Sequence, residues 1–169
     1  MRITGYPIVF GVWSVDLGGF IEVIAPSAVD RTLRQSADVV ALVNHNDDKP
    51  LGRISAGTLA LRKDAHGLAI DLDADEGITF GHDVIQVIRR GDAVGGSFSF
   101  RTMDDIWTMT DGTPHREVID MAIREVSLGV SFPAYPQTTL SASQRHAPAR
   151  PRGRSVALAE RQLRVLMAR

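Results

Sequence analysis

The stretch Ala93-Val94-Gly95-Gly96-Ser97-Phe98-Ser99-Phe100-Arg101 decides the fold. Successive side chains of a strand point to opposite faces, so Ser97 and Ser99 share one face and Phe98 and Phe100 the other. Just upstream, Phe80, Val84, Val87 and Ile88 recur at helical spacing, and Arg89-Arg90-Gly91 supplies the basic last turn and following glycine that a helix C-terminus favours. Downstream, Ile106 to Met109 and Glu117 to Ile119 flank Asp111-Gly112-Thr113-Pro114, which predicts a hairpin, and Met121 to Phe132 supplies one or two further strands before Pro133-Ala134-Tyr135-Pro136.

The N-terminal half reads the same way. Tyr6 to Val12 is apolar and β-prone, and Leu17-Gly18-Gly19 is a turn before a strand from Phe20 to Ile24. Pro26-Ser27 opens a short helix through about Leu33, with Asp30 near its start. Val39 to Val43 is a near-continuous apolar run, the mark of a strand buried on both faces, and ends in the polar Asn44-His45-Asn46-Asp47-Asp48. Leu59 and Leu61, then Leu68, Ile70 and Leu72, alternate with polar or small residues around Asp64-Ala65-His66-Gly67, which predicts a β-hairpin. Many short strands with one or two helices indicate a mainly β body, mostly antiparallel and barrel-like, over residues 1–140.

The remaining residues, 141–169, differ. Ser141 to Arg154 is rich in Pro, Ser, Ala and Arg and reads as a flexible linker; Val156 to Met167 reads equally as a short basic helix or a disordered tail. From Gln144 onward seven arginines stand against one acid, Glu160, a net of +6, so the rest of a chain of net charge −1 carries −7. With no cysteine, disulfides, thiol nucleophiles and thiolate metal sites are excluded. No apolar run is long enough to span a membrane and the first residues lack a signal-peptide core, which points to the cytosol.

Without a thiol, a serine activated by a histidine is the nucleophilic pair to seek. Of five histidines, His66 and His115 fall in turns, His82 on the first helical turn and His146 in the linker. His45 alone follows directly from a buried strand that could fix its position. Ser97 sits after two glycines, where a substrate backbone can approach closely. By pattern alone the blander readings stand ahead: a solvated loop histidine, an outward serine on a half-buried strand, and for Glu125 a surface ion pair with Arg124.

Five ordered blocks add weight. Tyr6 to Gly11 with Trp13, then Gly19-Phe20 and Glu22-Val23-Ile24-Ala25-Pro26, resemble the opening of the prohead protease family of tailed bacteriophages. So do Ala41-Leu42-Val43-Asn44-His45-Asn46 with Pro50-Leu51-Gly52-Arg53, and Gly91-Asp92 running into Gly96-Ser97-Phe98-Ser99-Phe100. Arg124-Glu125-Val126-Ser127 leading to Phe132-Pro133-Ala134-Tyr135-Pro136 completes the set.

The resemblance implies a closed antiparallel barrel flanked by helices, similar to the herpesvirus assembly proteases. It implies a serine endopeptidase, without a cofactor or metal, that matures the capsid with Ser97 as nucleophile, His45 as base and Glu125 as the third member. Oxyanion donors are expected near Ser97 or along Ser127 to Val130. The implied partners are the major capsid protein or its scaffolding segment and the protease itself, by autoprocessing or as a homodimer, inside the procapsid in the host cytoplasm. Membrane is not among them, and nucleic acid is disfavoured. Three departures stand out: Gly96 where many relatives carry methionine, Ser99 where glycine is common, and a slightly longer Leu128-Gly129-Val130. Ser99 therefore competes with Ser97 as nucleophile.

Two other readings remain. Asn44-His45-Asn46-Asp47-Asp48 could hold a divalent ion in a metal-dependent hydrolase, although without the spacing of known zinc motifs; inactivation by a chelator would favour it. A non-enzymatic β-barrel head-assembly protein could bind nucleic acid through its basic tail, although the acidic body opposes this; salt-dependent DNA binding without proteolysis would favour it.

Overall fold

The Ser-Phe alternation lies at the start of the longest pairing in the molecule. In a computed structural model of the chain, which describes residues 1–144, β7 (Gly95–Thr110) and β8 (Thr113–Val130) run antiparallel as strands of 16 and 18 residues. They turn at Asp111-Gly112, both at positive φ, the backbone of a two-residue hairpin turn. The segments expected as separate short strands are thus two long ones, bent at register shifts.

β8 organises the second half of the architecture. β7 covers one of its sides, while β2 (Ile21–Ile24) and β3 (Val40–Val43) follow one another in parallel along the other, with β4 (Asn46–Arg53) antiparallel outside β3. The other sheet has the order β5 (Leu59–Lys63), β6 (Gly67–Asp73), β1 (Arg2–Val9), β9 (Thr139–Ser143), all antiparallel. A 3-10 turn at Pro26–Val29 leads into α1 (Asp30–Arg34), and the predicted longer helix is α2 (Thr79–Arg90). The inner faces bury Ile3, Ile8, Ile24, Leu68, Leu72, Ile85, Met121 and Leu128 completely, each worth about 1.5–3 kcal/mol of removal from water.

The structure corrects two expectations. The fold is mainly β, as expected, but no sheet closes into a barrel. At one seam, between β7 and β9, Thr138 Oγ1 accepts from the Gly96 N–H (3.1 Å) and lies 2.9 Å from Gly96 O, so a side chain occupies the groups a ladder would use. At the other, between β4 and β5, the link is a local turn, in which Thr58 Oγ1 accepts from the Arg53 N–H (2.9 Å) and the Thr58 N–H donates to Arg53 O (3.3 Å). Backbone groups satisfied this way have no further need of a strand partner. In the second correction, Ser141 to Ser143, expected in the linker, belong to β9 and pair with Arg2 to Thr4. The other expectations for residues 145–169 lie outside the described residues.

Buried polar links tie the loops to this frame. Tyr135 stacks on Phe98 (5.5 Å between ring centroids) and donates its hydroxyl to Glu22 (2.6 Å), which also accepts from Arg116 (2.8 Å). Burial and the neighbouring carboxylate push the Tyr135 phenol well above its usual range.

At Gly96, where the resemblance leads one to expect methionine, the packing leaves no room for a side chain. A Cβ at Gly96 would lie 2.6 Å from Pro7 Cα, so the backbone of β1 would have to shift. Gly96→Met is expected to lower the unfolding free energy by about 1–3 kcal/mol through overpacking, read as a lower urea midpoint with unchanged slope. An unchanged midpoint would show that β1 yields.

Candidate active site

The apolar run of β3 stops at Val43, and the chain reverses into β4 with Val43 paired to Asn46. The two residues between, Asn44 and His45, have φ of +46° and +59°. This is the left-handed geometry a two-residue hairpin turn requires, and Asn and His are among the few residues with side chains that adopt it with any frequency. Such a conformation costs on the order of 1–2 kcal/mol and persists where surrounding bonds over-determine it. Here they do: the Asn44 N–H donates to Leu128 O (3.3 Å) and the His45 N–H to Ser127 Oγ (2.7 Å).

That turn lays the imidazole across β8 and β7. The register sets Ser97 opposite Ser127 and Ser99 opposite Glu125, so one face of this strand pair carries four polar side chains. His45 Nδ1 lies 2.7 Å from Glu125 Oε1, and Nε2 lies 2.8 Å from Ser97 Oγ. Ser127 Oγ donates to Glu125 Oε2 at 2.8 Å. Glu125 is only 3% exposed and Ser127 fully buried, whereas 43% of the His45 side-chain surface is open to solvent. The imidazole is therefore partly open to solvent, whereas the groups that hold it are buried.

Proton bookkeeping fixes the direction of each bond. A backbone N–H can only donate, so Ser127 Oγ accepts from His45 and its own proton is free to go to Glu125. A carboxylate only accepts, so with Oε2 taken by Ser127, Oε1 takes the proton of Nδ1. Nε2 is left with its lone pair toward the Ser97 hydroxyl. The arrangement can draw a proton from Ser97 Oγ.

The residues singled out from sequence fall as follows. His45, Ser97 and Glu125 come together. Glu125 is not a surface partner of Arg124, which instead reaches Asp47 (2.8 Å). Ser99 shares the face, but its buried hydroxyl has no hydrogen-bond partner and the imidazole bonds Ser97. Asn44 to Asp48 does not converge on one point: His45 faces β7, Asp47 faces Arg124, and Asn46 Oδ1 accepts from the Asp48 N–H (2.9 Å). His66 packs edge-on against Tyr6, His115 lies against Trp13, and His82 sits in α2.

The extra length at Leu128-Gly129-Val130 is a bulge. Gly95 pairs with Val130 and Gly96 with Leu128, leaving Gly129 unpaired at φ +71°. That is a glycine position in a bulge of this kind. The Gly96 N–H, spent on Thr138, is not free to serve an oxyanion.

Sequence reasoning missed the bridging role of Ser127. The signal was present: in Glu125-Val126-Ser127 the strand period puts the acid and the hydroxyl on one face.

A family model described as caudovirus prohead serine protease matches residues 1–151. Comparison with curated proteins finds no match. Because the family match runs through every strand of both sheets, the chain belongs to the caudovirus prohead serine protease family, the peptidases of phage capsid maturation.

Proposed function

We propose that this chain is a serine endopeptidase working by acyl transfer, with Ser97 as nucleophile, His45 as general base and Glu125 as the group that orients the imidazole. The observation that carries the reading is the unbroken chain of hydrogen bonds from Ser97 through His45 to a buried Glu125. His45 Nε2 takes the Ser97 proton as Oγ attacks a peptide carbonyl. The imidazolium, held by Glu125, then protonates the departing amine, and water releases the acyl group from Ser97 by the reverse steps. Preorganised N–H donors aimed at the oxyanion supply a large share of such rate enhancement.

Family membership implies action on capsid proteins inside the procapsid. Within that frame the proposed substrates are a scaffolding segment of the capsid protein and the protease itself. Among the described residues no helix is long and apolar enough to cross a membrane.

Three outcomes test this reading. A fluorophosphonate probe is expected to label the chain, with labelling abolished in Ser97→Ala and retained in Ser99→Ala; the reverse pattern would move the nucleophile to Ser99. His45→Ala should slow labelling by about 10⁴-fold or more and Glu125→Gln by about 10⁴-fold, the scale seen when members of such triads are removed.

Ser127→Ala removes the bridge between Glu125 and the His45 backbone. It should slow labelling by about 10–100-fold through misplacement of the imidazole, with the probe's saturation constant unchanged. A weakened saturation constant at an unchanged maximal rate would give Ser127 a binding role instead.

Self-cleavage is expected between Ser141 and Arg154, a stretch of small and polar residues of the kind preferred for nicking, and the pairing of Ser141 to Ser143 in β9 narrows it to the bonds from Gln144 onward. Intact-mass spectrometry after long incubation reads this directly. An uncleaved C-terminus in active protein, or equal cleavage in Ser97→Ala, removes the self-processing.

A further inference from the structure

A cavity of about 530 Å³ opens beside the nucleophile strand, walled by Val15, Val94, Gly95, Val130, Phe132 and Pro133. Its position ties it to the catalytic face. Gly95 lies two residues before Ser97 on the same side of β7, one strand repeat of about 7 Å away, and Val130 is its cross-strand partner. Thr138, whose hydroxyl holds Gly96, also reaches this wall.

The walls are mostly apolar, with Asp92, Ser131 and Thr138 as their polar members. Three of the exposed large apolar side chains of the described residues gather here: Val15, Val94 and Phe132, the last 95% exposed. A nearly bare phenylalanine contributes little to the fold, so its place at the mouth of this cavity needs another explanation. Pro133 packs onto the strand because Gly95 has no side chain: a Cβ there would lie 2.8 Å from Pro133 Cγ and 2.5 Å from Val130 O. The glycine thus makes room for an apolar wall one strand repeat, about 7 Å, from Ser97.

We propose that this cavity is a specificity subsite of the protease, receiving an aliphatic or aromatic side chain of the substrate two to four residues from the scissile bond. The inference rests on the serine-endopeptidase reading and adds the class of substrate side chain. An extended peptide advances about 7 Å per two residues, so a chain with its carbonyl at Ser97 brings such a side chain to the cavity. The volume is in the range of small-ligand pockets. A second copy of the chain would need about 800 Å² of matched surface per partner, more than three exposed side chains provide.

The test uses the full chain, a small fluorophosphonate without a peptide portion, and a pool of peptides derived from a whole proteome, with cleavage positions read by mass spectrometry. Cleaved bonds are expected to show Leu, Ile, Val, Met or Phe enriched at one position within four residues of the cut. Val94→Asp and Phe132→Asp, both at exposed positions, should reduce cleavage of those peptides by about 10–100-fold, the discrimination that hydrophobic pockets achieve. Fluorophosphonate labelling should stay unchanged in both variants.

A cleavage profile without apolar preference, a profile unaltered in both variants, or a pool left uncut by labelled protein overturns the subsite. Conversion of a dimer to a monomer by Phe132→Asp, with loss of labelling, also overturns it and assigns the patch to contact between copies. Absence of labelling in the unaltered chain is a different failure, that of the serine-hydrolase reading itself.

Discussion

One register holds the site together. Across three neighbouring strands Leu42, Ser127 and Ser97 stand in a row, and two residues back along β8 the row is Val40, Glu125 and Ser99. A slip of one residue in either pairing would turn its hydroxyls or its carboxylate to the opposite face, because the side-chain period of a strand is two. The buried partners on the other face, Val126 and Phe98 among them, make such a slip costly. Hydrophobic burial on one side of β7 and β8 therefore fixes the chemistry on the other. The imidazole needs only a short hairpin turn to reach across, since β3 already lies against β8.

The open seams follow from the same economy of backbone groups. A closed barrel would make β7 a central strand, with its N–H and C=O groups paired on both sides. Instead Thr138 satisfies Gly96 through one hydroxyl, and Pro7 presses against the glycine's bare Cα. The strand that carries Ser97 is thus anchored at its start by side-chain contacts that leave its polar face uncovered. The bulge at Gly129 reinforces this anchoring, with Val84 of α2 packed where a side chain would otherwise point.

Much of this was legible in the sequence, for reasons that are local. The Ser-Phe alternation, the Asp64 to Gly67 and Asp111-Gly112 turns, and the α2 pattern ending at Gly91 each depend on residues a few positions apart, and each appears where the sequence indicated. What was not legible depends on contacts distant in sequence. Glu125 next to Arg124 resembles a surface pair until β3 and β7 flank it and bury it. The left-handed turn at His45 is stabilised by Ser127, 82 residues away. Barrel closure was not legible in strand patterns either, because it depends on which strand edges pair between the two sheets, contacts far apart in sequence.

The two serines show how geometry separates candidates that pattern cannot. Ser97 and Ser99 share a strand, a face and a buried acidic neighbourhood, yet they lie about 7 Å apart along β7, farther than one imidazole edge can serve. Glu125 stands directly opposite Ser99, but its two oxygens are already engaged by His45 and Ser127. Ser99 itself has a buried hydroxyl and no partner, a cost of about 1–3 kcal/mol that glycine at the same place would avoid. An unpaired hydroxyl without a base beside it is a poor nucleophile, whereas Ser97 Oγ lies 2.8 Å from His45 Nε2 and is partly open to solvent. The arrangement that strains Ser99 is thus the same one that favours Ser97 in the proposed chemistry.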